Sequence, residues 1–489
     1  MTSTNNGITD ACYTSQTTYN REQLNTDIVH LGFGAFHRGH QAVYNDLTNQ
    51  ETGELWGICE INMFGPEDLV QDLKAQQGMF TVIEKSADAT HSRLVRTVSE
   101  AIHTPLEGID VAIAKMAEPS VKIVSLTITE KGYCSDPQSG RLDLNNELIK
   151  HDLASPYSPK SAIGLITEAL RQRRNKGLAP FSVLSCDNIP ENGLLTKEAV
   201  LSFAKSVDRD LARWIEDQVT FPSTMVDRIV PAMTPEQFDV IEQETGYKDP
   251  CGIVCEDFRQ WVVEDNFVAG RPDWNKAGAM FVADVLPYEE MKLRMLNGSH
   301  SFLAYNGNLA GHEFIYQCMQ DESLRNVTLK LMEQEQAKSL QEGLGVDLAE
   351  YAQLLIKRFS NANIKHKTSQ IAMDGSQKLP QRAIDPYKTL QSRGVDRVCL
   401  PVTIAGWMHY TLNQAKNQEP IFDPLEAIYK EIAATDVAAL DKAKALLAIE
   451  KIFGDLATSN PEFTAQVLAA FQSIESNGID KVIGSIAAN

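Results

Sequence analysis

The sequence predicts an α/β domain built on a mostly parallel sheet, followed by a mostly α-helical domain. Short apolar strands alternate with helical segments from Ile28 to Ser185, the pattern of a sheet covered on both faces. One of those strands runs directly into a glycine turn and a helix start. Beyond Val285 apolar residues recur at spacings of three and four, as helix faces do. A chain of 489 residues is too long for one ordinary core, and the change of character sets the expected domains at 1–284 and 285–489.

Composition narrows the partners. Hydrophobic content of 43% with 22% charged residues is that of a soluble globular protein, and no apolar run approaches the roughly 20 residues needed to cross a bilayer. A formal charge of −20 argues against nucleic acid, whose phosphates reward clustered Lys and Arg, but leaves room for a small anionic substrate in a local basic pocket. Eight scattered cysteines and no signal peptide point to reduced thiols in the cytoplasm. Only Cys251 and Cys255 lie close together, and no second pair or nearby His completes a zinc set. The expected state is a cytoplasmic monomer or small homo-oligomer with no membrane or metal partner.

In chain order, residues 1 to about 25 are polar and read as a loosely attached arm. Ile28-Val29-His30-Leu31 is the first strand, and Gly32 and Gly34 follow it. In a dinucleotide-binding, Rossmann-type turn the first glycine makes the bend and the second lets the pyrophosphate approach the backbone. With Phe33, Ala35, Phe36 and Arg38 these glycines form the candidate cofactor turn, although His37 stands where a third glycine would complete the fingerprint. The next strand, Trp56–Ile61, contains Glu60. This acid lies 28 residues after Gly32, somewhat beyond the roughly 20 expected for a ribose-binding carboxylate. Glu67 and Asp68 are rivals, and any of the three favours NAD over NADP by repelling a 2′-phosphate.

Further strands are expected at Phe80–Ile83, Val121–Thr127, Phe181–Ser185 and Thr220–Asp227. Helices are expected near 108–117 and from Ser161 to Lys176, the latter stopping at Gly177. Residues 255–272 read as helical and irregular. Ligands bind beyond the carboxyl ends of such strands, which selects Thr127 to Tyr133 and Ser185 to Asn188 as site loops. In the second domain, Asp423-Pro424 and Asn460-Pro461 are helix starts.

The stretch from Lys292 to His300 places an amine, an amide and an imidazole together after Pro287. At 100° per residue Lys292, His300 and Asn297 fall at about 0°, 80° and 140°, one face of a helix, whereas Arg294 lies at about 200°. Those groups suit carbonyl reduction, the amine exchanging a proton while amide and imidazole hold the oxygen. A straight helix separates Lys292 from His300 by about 12 Å of rise, so something must bend. A basic run from Asp374 to Arg382, with His366-Lys367 before it, is a candidate carboxylate-binding loop.

Taken together, Gly32 to Gln41, Ser125 to Glu130, Ser185 to Asn188, Thr224 to Ile229 and Lys292 to His300 resemble the polyol-specific long-chain dehydrogenases, the mannitol dehydrogenase family, in family order across nearly the whole chain. Cys59-Glu60, Thr129 to Cys134, Met291 to His300 and Gln370 to Arg382 are similar to its fructuronate-reducing members. The resemblance implies NAD-dependent, metal-independent interconversion of D-fructuronate and D-mannonate. Mannitol or tagaturonate dehydrogenation is the alternative within the family, and a non-catalytic dinucleotide sensor the alternative outside it. It also implies roles: Lys292 as general acid/base, Asn297 and His300 as carbonyl-oxygen donors, Asn188 as a further active-site amide, Glu130 as a proton relay and Asp227 as a substrate contact. Two departures from mannitol dehydrogenases point to an acid substrate, Arg294 in place of Gly and Gln370 in place of Arg. Arg294, Lys378 and Arg382 are the candidate carboxylate partners.

Overall fold

Five parallel strands form the centre of the first unit: β1 (Asn25–Leu31), β2 (Trp56–Asn62), β3 (Val98–His103), β4 (Ile123–Leu126) and β5 (Ser182–Ser185). They lie in the order β3-β2-β1-β4-β5. The chain therefore builds outward from β1 to one edge, then crosses back to lay β4 on the other side of β1. That reversal opens a crevice beyond the carboxyl ends of β1 and β4, where open α/β sheets bind ligands. Helices Gln41–Thr52, Ile109–Met116 and Ala162–Asn175 accompany the sheet, and β4 and β5 are buried along their whole length, as a sheet covered on both faces requires.

The computed structural model describes residues 7–136 and 140–488, divided into compact units Met1–Leu286 and Pro287–Asn489. Two smaller sheets complete the first unit. One runs Ser15–Gln16, Thr90–Val95, Phe80–Lys85, Ile253–Glu256, and the other Met280–Val282, Gln260–Glu264, Thr224–Asp227. The reading of 255–272 as helical and irregular is thus corrected at Cys255 to Glu264, which lies largely in two strands. The arm expected at 1–25 is corrected from residue 7 onward, residues 1–6 lying outside the described ones. Ile8 is fully buried in a cluster with Met79 and Leu94, and Ser15–Gln16 pairs with Arg93 and Leu94. Hydroxyls do the rest: Thr14 exchanges hydrogen bonds with Ser92, and Tyr13 bonds to Thr81. Cys12 is exposed, the other seven cysteines are buried, and all eight are free thiols.

The second unit is helical around one apolar core. Its central helix, Cys399–Lys416, is buried from Cys399 to Thr411 and packs against Gly298–Leu309 and Pro461–Asn477. Three of its segments are π-helical turns: Lys292–Asn297, Leu331–Gln336 and Pro380–Ile384. Each is closed by a backbone bond reaching five residues back, Gly298 to Leu293, Ala337 to Met332 and Asp385 to Pro380. Such turns insert a residue into a helix and often mark functional sites. Among the described residues no helix is long and apolar enough to cross a membrane.

Candidate active site

At the end of β1 the backbone turns through Gly32 with φ of 106°, and a Cβ there would lie 2.3 Å from the Thr127 carbonyl oxygen. Only glycine fits both the left-handed conformation and the contact. Gly34 caps the short helix Ala35–Gly39, is exposed, and meets nothing nearer than 3.9 Å. Gly34, Ala35 and Phe36 therefore leave the helix start open to a ligand at the crevice, the arrangement a pyrophosphate requires. Thr127 closes the turn from β4, its hydroxyl donating to the Gly32 carbonyl at 2.8 Å.

Beneath the turn lies a buried polar cluster. His30 contacts the Ser125 and Thr127 hydroxyls at 2.8 Å each, and its ring stacks on His37 at 3.5 Å. His37 in turn meets Glu60 at 2.7 Å, with both side chains fully buried. Burial drives the His37 imidazole down to about 3 and the Glu60 carboxyl up to about 7. Among the described residues these three are the one group of His, Cys, Asp and Glu side chains close enough to share an ion. Parallel rings point their lone pairs side by side, and both His30 nitrogens already have hydrogen-bonding neighbours. The trio is built as a hydrogen-bonded support.

Three cofactor-binding expectations are corrected here. Glu60 is fully buried under the turn against His37 and has no surface to offer a ribose, which leaves the exposed Glu67 and Asp68, at the start of helix Asp68–Ala75 beyond the end of β2, as the candidate acids. Arg38 is buried, its guanidinium donating to the Cys251 and Gly34 carbonyls rather than facing outward. The Phe33 ring packs edge-on against Phe80 at 5.6 Å, and its N–H is taken by the Asn62 side chain at 2.8 Å.

The two loops expected beyond β4 and β5 are tied together by Asp187. Its carboxylate accepts from the N–H groups of Ile128 and Thr129 at 3.0 and 2.9 Å and from the Tyr133 hydroxyl at 2.7 Å. Thr129 adopts φ of 61°, a strained conformation for a β-branched residue, which those bonds hold in place. Glu130 and Asn188 flank this staple and are both exposed. Asp227 ends its strand opposite Gln260 and is buried.

In the second unit a π-turn changes the register that a straight α-helix would give. Lys292 and Asn297 stand five residues apart, one turn of a helix whose bonds reach five back, and His300 follows Asn297 by three on the α-helix beyond. The sequence of a π-turn and an α-turn thus stacks all three side chains along one side. Lys292 and His300 are each 6% exposed. Burial, then the neighbouring His366, Arg358, Arg382 and Lys378, hold the His300 imidazole well below its ordinary range, so it is neutral at pH 7. Its ring rests on Phe359 at 4.4 Å and meets the His366 ring edge-on at 5.3 Å.

Arg382 reaches the same place, donating through Nη1 to the Asn297 carbonyl at 3.3 Å and the Ser301 hydroxyl at 3.2 Å. Lys378 directs its ammonium to the Ile371 and Met373 carbonyls at 3.1 and 2.6 Å. Arg294 is corrected as a carboxylate partner, since its guanidinium is bonded to Ser339 and Glu290 on the other side of the turn.

One family model, the Mannitol dehydrogenase Rossmann domain, matches residues 26–276, and a second, the Mannitol dehydrogenase C-terminal domain, matches 284–475. The chain belongs to the mannitol dehydrogenase family. The D-mannonate oxidoreductase of Escherichia coli (strain K12) is 51% identical to it over 96% of this chain and 97% of the other. The solved Pseudomonas fluorescens mannitol 2-dehydrogenase, a ternary complex with NAD and D-mannitol, is 35% identical, with a TM-score of 0.84 and 99% of each chain covered. A substrate-free D-sorbitol dehydrogenase is 28% identical, with a TM-score of 0.89 over 98% of this chain and 99% of the other.

For this member of the mannitol dehydrogenase family, sequence reasoning passed over Asn62 and Gln336, and placed Asp187 in a site loop without giving it a role. Asn62 fixes the glycine turn and Asp187 fixes the loop carrying Glu130. Gln336, fully buried at the end of its own π-turn, accepts from Ser299 at 2.9 Å. A Cβ on Gly298 would fall 2.6 Å from the Gln336 amide nitrogen and 3.0 Å from the Arg382 carbonyl, so all three π-turns close on that glycine. A buried Asp opening a polar turn after a strand was the available signal for Asp187. For Gln336 nothing in the local sequence distinguishes it.

Proposed function

We propose that this chain is an NAD-dependent, metal-independent oxidoreductase interconverting D-fructuronate and D-mannonate, with Lys292 as general acid/base. The observation that supports the chemistry is the π-turn followed by an α-helix, whose register puts a buried amine, an amide and a neutral imidazole along one side. The substrate is supported by the 51% identical D-mannonate oxidoreductase. The open glycine turn at the β1–β4 crevice fits a dinucleotide, held through Gly32, Gly34, Ala35, Phe36 and Thr127, with Asp68 toward the adenosine ribose. Bound NAD supplies the hydride acceptor or donor.

In the direction of reduction, Lys292 as an ammonium gives its proton to the carbonyl oxygen as negative charge gathers there. Asn297 and His300 donate to the same oxygen, and a neutral imidazole can do so without competing for that proton. In oxidation the amine form of Lys292 removes the hydroxyl proton. The family resemblance supports a proton-relay role for Glu130, exposed on its short helix, and substrate contacts for Asn188 and Asp227.

The test is NADH oxidation with D-fructuronate, D-tagaturonate and D-fructose compared at equal concentration. Fructuronate turned over at least tenfold better than the others is expected, and preference for either rival overturns the substrate. Lys292→Ala should lower kcat by more than about 100-fold, the usual scale for a general acid/base, and leave the Kd of NADH unchanged. Equal loss of both would make the lysine structural.

A further inference from the structure

A sugar acid ends in a carboxylate, and the second unit gathers positive charge in one place. Arg358, Lys378 and Arg382 act on the His300 imidazole, and the uncharged His366 ring lies against it at 5.3 Å. Arg382 is half-buried on its π-turn. Its Nη1 holds the Asn297 carbonyl and Ser301 hydroxyl, while Nε and Nη2 donate to none of the described residues, and no carboxylate among those residues pairs with it. Burial lowers its pKa to about 10, opposed only by the Tyr305 hydroxyl. Nearby, His300 Nε2 and His366 Nδ1 are buried with no hydrogen-bond partner. Open polar atoms thus come from three separate segments: helix Gly298–Leu309, the loop before Thr368, and the π-turn Pro380–Ile384.

Buried donors left without an acceptor are costly unless a ligand supplies one. The fork of an arginine matches the two oxygens of a carboxylate, which a lysine meets only as a point charge. We infer that Arg382, through its open Nε–Nη2 edge, is the receptor for the substrate carboxylate, with His366 as a second donor. The assignment rests on the sugar-acid reading above. Lys378 adds charge while its ammonium is directed at two carbonyls, and Arg294 takes no part. A neutral ketose would leave the fork unpaired, so the same edge rejects polyol substrates.

The test is steady-state kinetics of the intact enzyme with D-fructuronate and D-fructose, for wild type, Arg382→Met and Arg382→Lys. Arg382→Met should raise the KM for fructuronate between about tenfold and 100-fold, the range of a charge-assisted bond. Loss of the bond to the Asn297 carbonyl should lower kcat on both substrates alike, so the readout is the ratio of kcat/KM for fructuronate to that for fructose, which should fall by about tenfold or more. Arg382→Lys should recover less than half of the loss on a logarithmic scale, and it carries the test alone where Arg382→Met does not fold. A fructuronate KM within about twofold of wild type, or equal losses on both substrates, overturns the assignment and leaves Arg382 only as the prop of the Asn297 carbonyl. Wild-type enzyme that does not reduce fructuronate overturns the substrate reading instead.

Discussion

Each unit buries a pair of imidazoles, and the two pairs have been put to different uses. His30 and His37 lie face to face at 3.5 Å, His300 and His366 edge to face at 5.3 Å. Desolvation strips the charge from all four, taking His37 to about 3 and His366 to about 4 and the other two well below the ordinary range. Their company differs. The first pair has a carboxylate, Glu60, bonded inside it and two hydroxyls at its edge. The second has three cationic side chains around it and no carboxylate among the groups that move it most. A histidine pair with its own counter-charge is a support for the backbone above it. A pair among cations, with the Nε–Nη2 edge of Arg382 open beside it, is set up to receive an anion. Residue type alone does not separate these cases, but the sign of the neighbours does.

The most damaging way to break the comparison is through the glycine above each pair. Gly32→Ala meets the Thr127 carbonyl at 2.3 Å in a left-handed conformation, so neither partner can yield. A loss of more than about 100-fold in NADH affinity is expected, equivalent to over 2.7 kcal/mol. Gly298→Ala has ordinary helical φ and meets a side-chain amide at 2.6 Å and the Arg382 carbonyl at 3.0 Å. Gln336 can shift, but the displacement passes to Asn297 and His300. The expectation is a tenfold to 100-fold lower kcat with NADH affinity preserved, since small misplacements of positioning groups carry such costs. Fluorescence titration with NADH and initial rates on both variants check this, and a Gly298→Ala enzyme with unaltered kcat would show that the π-turns do not set the catalytic geometry.

A smaller effect separates support from ligand within the first unit. Asp68→Asn should weaken NADH about tenfold and narrow the discrimination against NADPH, because a charged hydrogen-bond acceptor is lost. Glu60→Gln should leave NADH affinity within about twofold while lowering the melting temperature. The reverse pattern would return the ribose role to Glu60.

Four of the five central strands were legible, β1, β2, β4 and β5, because buried parallel strands read as apolar runs. β3 was missed. It is the edge strand, Val98-Ser99-Glu100-Ala101-Ile102, and its half-exposed polar positions interrupt the apolar signal. Cys255 to Glu264 was misread for a related reason: its charged residues look like a loop, yet Glu256 is buried, accepting the Ile229 N–H at 2.6 Å. The site was legible as a set of residue types. Spacing found Lys292, Asn297 and His300 but could not show how they meet, since an ideal helix carries no π-turn. Spacing also drew attention to Glu60, whose burial depends on His37 from another element, and the departure from mannitol dehydrogenases drew it to Arg294, whose partner Ser339 lies 45 residues away. Long-range partners of that kind leave no trace in a local pattern.

The smallest effect concerns acid. His366 has a folded pKa of about 4, set by burial and then by Lys378, against 6.5 when unfolded. Between those values the unfolded chain binds the extra proton, so the stability His366 contributes is complete above pH 6.5 and is lost as pH falls toward 4. At pH 5 the loss is about 2 kcal/mol, taking 1.36 kcal/mol for each unit below 6.5. His366→Gln cannot take up that proton, so its urea midpoint should fall less than that of wild type between pH 7 and pH 5. Parallel curves would mean that His366 is solvated in solution. A bound sugar acid sharpens the contrast, because a carboxylate beside the imidazole favours its protonated form: saturating D-mannonate should shrink the wild-type acid loss and leave the His366→Gln curve where it was. His37 offers the control from the other unit, enclosed with its own carboxylate, where mannonate should change nothing.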